Sequence, residues 1–406
     1  MKKKLVSALL CIGMLAAMLS GCAASTETGN DPVSPPDDLQ KDQTQDTGGD
    51  DATDKNNPVQ DSATDDMDLN DTTGGGRKIA LSMPTRSVQR WIDDAENMKK
   101  ELEAKGYVVD VQFAEDNPQQ QAAQMKSFVE QKVDCMVVVP IDSKELTDAA
   151  KEAKKADIPV ISYDRLLMDT DAVYYYASFD NKGVGRIIGQ TIAKKADLDG
   201  LSDGEYKTIE FFMGCPDDNN SYLIYEGLME VMQPYLDDGR LVCKSGRTSF
   251  EDTCISRWSQ DTAREWCKNY LAGYYTDEEL DICATAFDGL AYGCREALQA
   301  AGYIEDNWPV ISGQDCEAVA CKNILDGTQT FSIYKDTRLL AQKCVTMIDS
   351  VVADTEPEIN DTEQYHNNVI TVPSYLCTPV AVDKDNLKEV LIDSGYYTQE
   401  QIDNAE

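Results

Sequence analysis

From Lys78 onward the chain repeats one pattern: a short apolar run, then a longer stretch whose apolar residues return every three or four positions. Lys78 to Met83 predicts a strand closed by Pro84, and Val88 to Lys105 an amphipathic helix stopped by Gly106. The alternation continues with a strand over Tyr107 to Phe113, a helix over Pro118 to Lys132 and a strand over Cys135 to Val139. A helix over Ser143 to Ala156 and a strand over Pro159 to Tyr163 complete this series. A second series starts near Asn181. Its predicted helices are Gly183 to Lys195, Tyr222 to Tyr235, Gln260 to Leu271, Leu290 to Ala301, Cys316 to Leu325 and Thr337 to Val352. Its strands are Thr208 to Met213, Arg240 to Cys243, Leu280 to Ala286, Val310 to Ser312 and Thr328 to Tyr334. Late strands follow at Val369 to Tyr375 and Val380 to Val382, then a short helix at Asn386 to Leu391.

Strands apolar on both faces, joined through helices by short connections, belong to parallel sheets covered on both sides. Two such series predict an α/β protein of two Rossmann-like lobes. The late strands after the second series imply several crossings between the lobes. The cleft between them would lie at the strand carboxyl ends.

The chain ahead of this pattern differs. Lys2-Lys3-Lys4, an apolar run from Leu5 to Leu19, and Leu19-Ser20-Gly21-Cys22-Ala23 predict a secretory leader, 1–21, with a lipobox cysteine. Cys22 would carry the lipid and hold the protein on the outer face of a membrane. The segment 22–76 would be a tether: Ala23 to Gly76 carries 13 Asp and one Glu against Lys41 and Lys55, with nothing to bury. The formal net charge of the whole chain is −36. That balance argues against a nucleic-acid partner and suits a small uncharged ligand. Of 13 cysteines, eleven remain after Cys11 and Cys22, without the CxxC pairs or His partners of a zinc site. Cys135 and Cys283 read as buried thiols; Cys316/Cys321 or Cys243/Cys254 as open possibilities for a bridge.

The loop Cys215-Pro216-Asp217-Asp218-Asn219-Asn220-Ser221-Tyr222 joins a strand to a helix. Its carboxylates and carboxamides suit neighbouring hydroxyl groups, since one carboxylate accepts from two adjacent O–H groups and a carboxamide both accepts and donates. Matching chemistry sits at other strand ends: Arg90-Trp91, Tyr163-Asp164-Arg165, Arg257-Trp258, Phe287-Asp288, Gln314-Asp315 and Lys335-Asp336. Other signals are weaker. Gly200-Leu201-Ser202-Asp203-Gly204 has the spacing of a nucleophile elbow but no strand before it, and the lone histidine, His366, lies in a polar segment. Asp217 and Asp218 are too close in sequence to flank a glycosidic bond. Asp197-Leu198-Asp199-Gly200 places its glycine too early for a calcium loop.

Met83-Pro84-Thr85, Arg90-Trp91-Ile92-Asp93-Asp94, Tyr163-Asp164-Arg165 and Pro216-Asp217-Asp218-Asn219-Asn220 resemble bacterial extracytoplasmic monosaccharide-binding proteins. So do Ser312-Gly313-Gln314-Asp315, Lys335-Asp336-Thr337-Arg338 and Val372-Pro373-Ser374-Tyr375-Leu376. The similarity is to the D-xylose-binding and multiple-sugar-binding receptors of ABC importers, over nearly all of Arg77 to Tyr397. It implies a type I periplasmic-binding-protein fold, with lobes at 77–179 plus 335–376 and at 180–334 plus 377–400 joined by a three-segment hinge; it also implies no catalysis, no cofactor or metal, a monomer, and two partners: a monosaccharide and a permease. It implies sugar ligands at Arg90, Asp164, Arg165, Asp218, Asn220, Asp288, Asp315 and Lys335, with Trp258 stacked on the ring and Trp91 lining the pocket. Phe287 stands where relatives carry Asn or Tyr, which removes a polar contact and leaves the sugar open among D-xylose, D-glucose and D-galactose. A sugar sensor addressing a chemoreceptor or histidine kinase, and an extracellular glycosidase, are the rival readings.

Overall fold

The structure, a computed structural model, describes residues 74–405. The expected leader, the expected lipid site at Cys22 and most of the expected acidic tether lie outside the described residues. The tether's last residues do not behave as a tether: Gly74 N donates to Lys105 O at 2.8 Å and Gly76 N to Gly106 O at 3.0 Å. No helix among the described residues is long and apolar enough to cross a membrane.

In chain order the first elements are β1 (Lys78–Met83), α1 (Gln89–Ala104), β2 (Val108–Phe113), α2 (Pro118–Glu130), β3 (Cys135–Val138), α3 (Thr147–Lys155), β4 (Val160–Tyr163) and β5 (Val173–Phe179). Then come α4 (Asn181–Lys195), β6 (Lys207–Phe212), α5 (Asn219–Asp238), β7 (Leu241–Val242), α6 (Phe250–Thr253), α7 (Gln260–Tyr274), β8 (Ile282–Thr285), α8 (Asp288–Ala300), β9 (Val310–Ile311), α9 (Ala318–Leu325) and β10 (Phe331–Tyr334). The chain ends with α10 (Thr337–Val352), β11 (Ser374–Cys377), β12 (Val380–Asp383) and α11 (Gln399–Asp403).

Six strands form one parallel sheet in the order β11-β5-β4-β3-β1-β2. A second parallel sheet runs β7-β6-β8-β9. A parallel bridge from Gln314 to Ile333 leads on to β10, which pairs antiparallel with β12. Each sheet is doubly wound and reverses its winding beside its first strand, β1 in one lobe and β6 in the other. Ligand clefts in open α/β sheets form at such points. The chain passes between the two lobes three times: from β5 into α4, from β10 into α10, and from β11 into β12.

Burial explains the lobes. Ile79, Leu81, Val137 and Ile161 meet Met98 of α1 and Leu340 and Ile348 of α10 on one face of the first sheet. Met125, Phe128, Ala149, Ala153 and Tyr176 cover the other. In the second lobe Ile209, Phe211 and Ile282 pack with Ile188 of α4 and Leu228 of α5, while Phe212 and Cys283 face α7 and α8. Helix starts are set by short polar side chains. Asn117 accepts from Gln120 N at 3.0 Å ahead of Pro118, Asp180 from Gly183 N at 2.9 Å, and Asp218 from Asn220 N at 3.0 Å. Helix α5 stops at Gly239, whose φ of 82° is a left-handed cap.

Several elements differ from the sequence pattern. β5 fills a stretch to which the pattern assigned nothing, because Tyr174 points to solvent and three consecutive tyrosines blur the alternation. The helix expected from Ser143 begins at Thr147, since Asp142 ties Lys144 N and Glu145 N into a turn. The helix expected from Cys316 begins at Ala318, because Asp315 and Cys316 have φ of 93° and 50°. The strand expected over Val369 to Tyr375 is confined to β11: Pro373 has no N–H to give a ladder. The short helix expected at Asn386 to Leu391 becomes a wide helical turn over Lys388–Asp393.

Candidate functional site

The carboxyl ends of β1, β3 and β4 face those of β6, β8, β9 and β10 across a cavity of about 500 Å³. Nine of the ten side chains predicted to hold ligand line it: Arg90, Trp91, Asp164, Arg165, Asp218, Asn220, Trp258, Asp315 and Lys335. Asp288 does not.

Arg90 leaves the first turn of α1 and is mostly buried. Its guanidinium pairs through Nη2 with Asp164 and through Nη1 with Asp315 Oδ1 at 3.4 Å, while Nε stands 3.6 Å from Asp94 Oδ2. Lys335 Nζ meets the same Asp315 oxygen at 2.8 Å, and Arg165 Nε meets Asp218 Oδ2 at 3.1 Å. Arg90 and Arg165 belong to the first lobe, Asp315 and Asp218 to the second. Two ion pairs therefore cross the cleft. Trp91 is flanked by both guanidiniums, its ring centroid 4.7 Å from Arg90 Cζ and 5.4 Å from Arg165 Cζ.

These ionisable groups balance: three cations (Arg90, Arg165, Lys335) and three carboxylates (Asp164, Asp218, Asp315). Burial opposes charge on Asp164, yet Arg90, Lys335 and Arg165 hold its carboxyl below the ordinary range. Burial pushes Asp218 up, against Arg165 and the Asn220 N–H. Behind the cavity Asp94 is fully buried, and burial raises it to about 7 despite Arg90. A neutral ring of fixed donors and acceptors matches an uncharged polyhydroxy ligand, whose hydroxyls can replace water at each group without adding charge. At the mouth the four carboxylates of Asp116, Asp142, Glu145 and Asp217 outnumber the cation Arg257, which disfavours anions.

Trp258 forms the apolar wall. It follows Arg257 in a tight turn, both with left-handed φ (57° and 53°), and crosses Phe287 edge to face at 5.9 Å. Its indole lies so close to Gly214 that a Cβ there would fall 2.1 Å from Trp258 Cη2. Only glycine leaves that space. Trp258 Nε1 and Gln314 Oε1 are buried without a hydrogen-bond partner, each on a residue that lines the cavity. A bound hydroxyl would satisfy them.

Asn220 lines the cavity but its carboxamide is already engaged. Oδ1 accepts from Tyr176 OH at 3.1 Å and Asn181 Nδ2 at 3.0 Å, and Nδ2 donates to Asp164 O at 2.8 Å. Asp288, at the head of α8, turns inward. Oδ1 accepts from Gln329 Nε2 and Ser332 Oγ, each at 2.8 Å, and Oδ2 from Glu317 N at 2.9 Å. Burial, with Glu317 nearby, pushes its carboxyl well up. Asp288 thus braces the loop that carries Asp315 instead of facing the cavity. Asn181, Gln119 and Ile141 line the cavity without being singled out in the sequence; Asn181 marks only where the second series begins, and the other two carry no motif. All eleven described cysteines are free thiols, so neither the Cys316/Cys321 nor the Cys243/Cys254 bridge forms.

Comparison with known proteins fits this geometry. The model of the periplasmic binding protein domain matches residues 79–356. The multiple sugar-binding periplasmic receptor ChvE of Rhizobium radiobacter is 41% identical over 327 residues, 80% of this chain and 92% of that one. The D-xylose-binding periplasmic protein of Escherichia coli K12 is 32% identical over 326 residues, again 80% and 92%. Among solved structures, an ABC transporter solute-binding protein from Clostridium phytofermentans with bound β-D-glucose is 42% identical, with a TM-score of 0.77, covering 80% of this chain and all of that one. With its two doubly wound lobes and the cavity between them, the chain belongs to the periplasmic binding protein family, among the sugar-binding periplasmic receptors of ABC-type transporters.

Proposed function

We propose that the protein captures a single uncharged monosaccharide of the D-glucose, D-galactose or D-xylose type between its lobes and delivers it to an ABC importer permease. The observation that carries this reading is the charge-balanced ring of Arg90, Arg165, Lys335, Asp164, Asp218 and Asp315 beside the Trp258 indole. Asp164 and Asp315 accept from vicinal hydroxyls, Arg90 and Lys335 donate, and the indole covers the C–H face of a pyranose. Sugar binding favours the closed state because only that state brings both lobes' groups to the ligand. The three crossings between the lobes are the hinge. The leader and Cys22 support a lipid anchor on the outer membrane face, with the acidic segment as its tether.

A thermal-shift panel of D-xylose, D-glucose, D-galactose, L-arabinose and D-ribose on residues 74–406 tests the reading. A cognate sugar at 100 times its dissociation constant adds about 2.7 kcal/mol of stability. No shift with any of the five would overturn it. Substituting Cys22→Ser in the whole chain and finding it still in the membrane fraction would overturn the anchor alone.

A further inference from the structure

Cys267 of α7, Cys283 of β8 and Cys294 of α8 come from separate stretches of sequence and meet inside the second lobe. Their Sγ atoms all lie within 4.8 Å of one another. None is exposed to solvent, and the surrounding core is apolar: Phe212, Leu271, Leu290, Leu298 and Ile311. None forms a disulfide; Cys267 Sγ donates to Cys294 O at 3.8 Å. The thiols act chiefly on one another, and the carboxylate of Glu210 adds negative charge near Cys283.

Three thiolates are soft ligands and select soft ions. Charge then decides among those ions. Around a monovalent ion three thiolates would leave two net negative charges, and around a divalent ion one, in an apolar interior closed to solvent. Burying such charge is costly. A trivalent ion leaves none. We propose that Cys267, Cys283 and Cys294 form a binding site for a trivalent thiophilic ion of the arsenite or antimonite class. With arsenous acid, three S–H and three As–O bonds break while three As–S and three O–H bonds form. Three waters leave, and no electron is transferred. The complex is neutral and suits the dry core that holds it. Since the trio is sealed, uptake waits on α7 lifting from β8, so it is slow in the folded protein and fast during refolding. None of the three lines the cavity between the lobes, so the site stands apart from the sugar reading.

The test uses the whole protein, incubated with sodium arsenite both folded and during refolding from denaturant, then freed of excess reagent. Intact-mass spectrometry under non-denaturing conditions is expected to show one arsenic retained per chain. X-ray absorption at the arsenic edge is expected to show three sulfur neighbours, and the melting temperature to rise. Cys283→Ala and, as a second variant should that one fold poorly, Cys294→Ser are each expected to abolish retention. Cys316→Ala, outside the trio, is expected to keep it. Absence of arsenic after refolding, two sulfur neighbours instead of three, or retention that survives both trio substitutions would overturn the site.

Discussion

Asp164 and Asp94 meet the same guanidinium through different nitrogens, one on the cavity wall and one in the interior behind it. Both are buried. Asp164 has Arg90, Lys335 and Arg165 around it and stays below the usual carboxylate range. Asp94 has Arg90 as its cation, at 3.6 Å, and the Tyr163 hydroxyl beside it, too little to offset burial, and is raised to about 7. What separates them is the number of cations within reach, and it gives the two residues different work. Asp164 is a permanent acceptor beside the cavity. Asp94 is a strained charge whose cost the fold carries to hold Arg90 in place.

The largest expected effect breaks the cavity side. Asp164→Ala removes an acceptor and leaves Arg90 without its main partner. Sugar affinity should fall about 10- to 150-fold, or about 1.5–3 kcal/mol, by titration calorimetry. Affinity unchanged within a factor of two would mean that the cavity does not hold the sugar.

The interior side should show itself through pH. A carboxyl whose folded value lies above its unfolded one binds its proton more tightly in the folded state. Asp94 therefore stabilises the fold least above pH 7, and that penalty vanishes as pH falls towards 4. The slope is at most about 1.4 kcal/mol per pH unit. Asp94→Asn should flatten this part of the profile in denaturant melts between pH 4 and 8 and leave the protein more stable at pH 8. Asp164 acts in the other direction: its contribution is present above the unfolded carboxylate value of about 3.9 and is lost as pH falls through its lowered folded value. A profile for Asp94→Asn that parallels the parent would show the interior carboxyl to be ordinary.

Asp288 extends the comparison to the second lobe. Asp288→Ala should cost about 1–3 kcal/mol of stability through the three stranded donors, and should weaken sugar binding less than Asp164→Ala. An affinity loss equal to that of Asp164→Ala would place Asp288 at the ligand. The smallest effect concerns salt. An uncharged ligand held by mostly buried pairs should lose less than about threefold in affinity between low and physiological ionic strength. A steep dependence would point to an anionic ligand.

Much of this was legible in the sequence. α10 was bounded at Thr337 and Val352 as observed, because Asp336 caps it and its apolar stripe is unbroken. The alternation of strand and helix yielded both lobes. Side-chain direction was less legible. Asp164 and Asp288 sit at equivalent strand ends, yet one faces the cavity and the other faces Ser332 and Gln329. Strand-end position selects candidates; the backbone path after the strand decides where each carboxylate points. Here Asp164 takes a left-handed φ of 60°, whereas Asp288 follows the extended Phe287 as the first residue of α8. β5 was missed because solvent exposure of Tyr174 breaks its pattern. The cysteine trio was invisible to spacing, since its members are brought together by packing of α7 and α8 on β8 and by no local motif.

Asn220 has a consequence for timing. It rides on the second lobe, yet its carboxamide grips the Asp164 carbonyl and the Tyr176 hydroxyl of the first. Parting the halves means undoing that grip first, so how long the contents stay depends in part on an amide whose hydrogen bonds run to the wall behind them. A weaker side chain at that position would shorten residence more than it lowers the rate of entry.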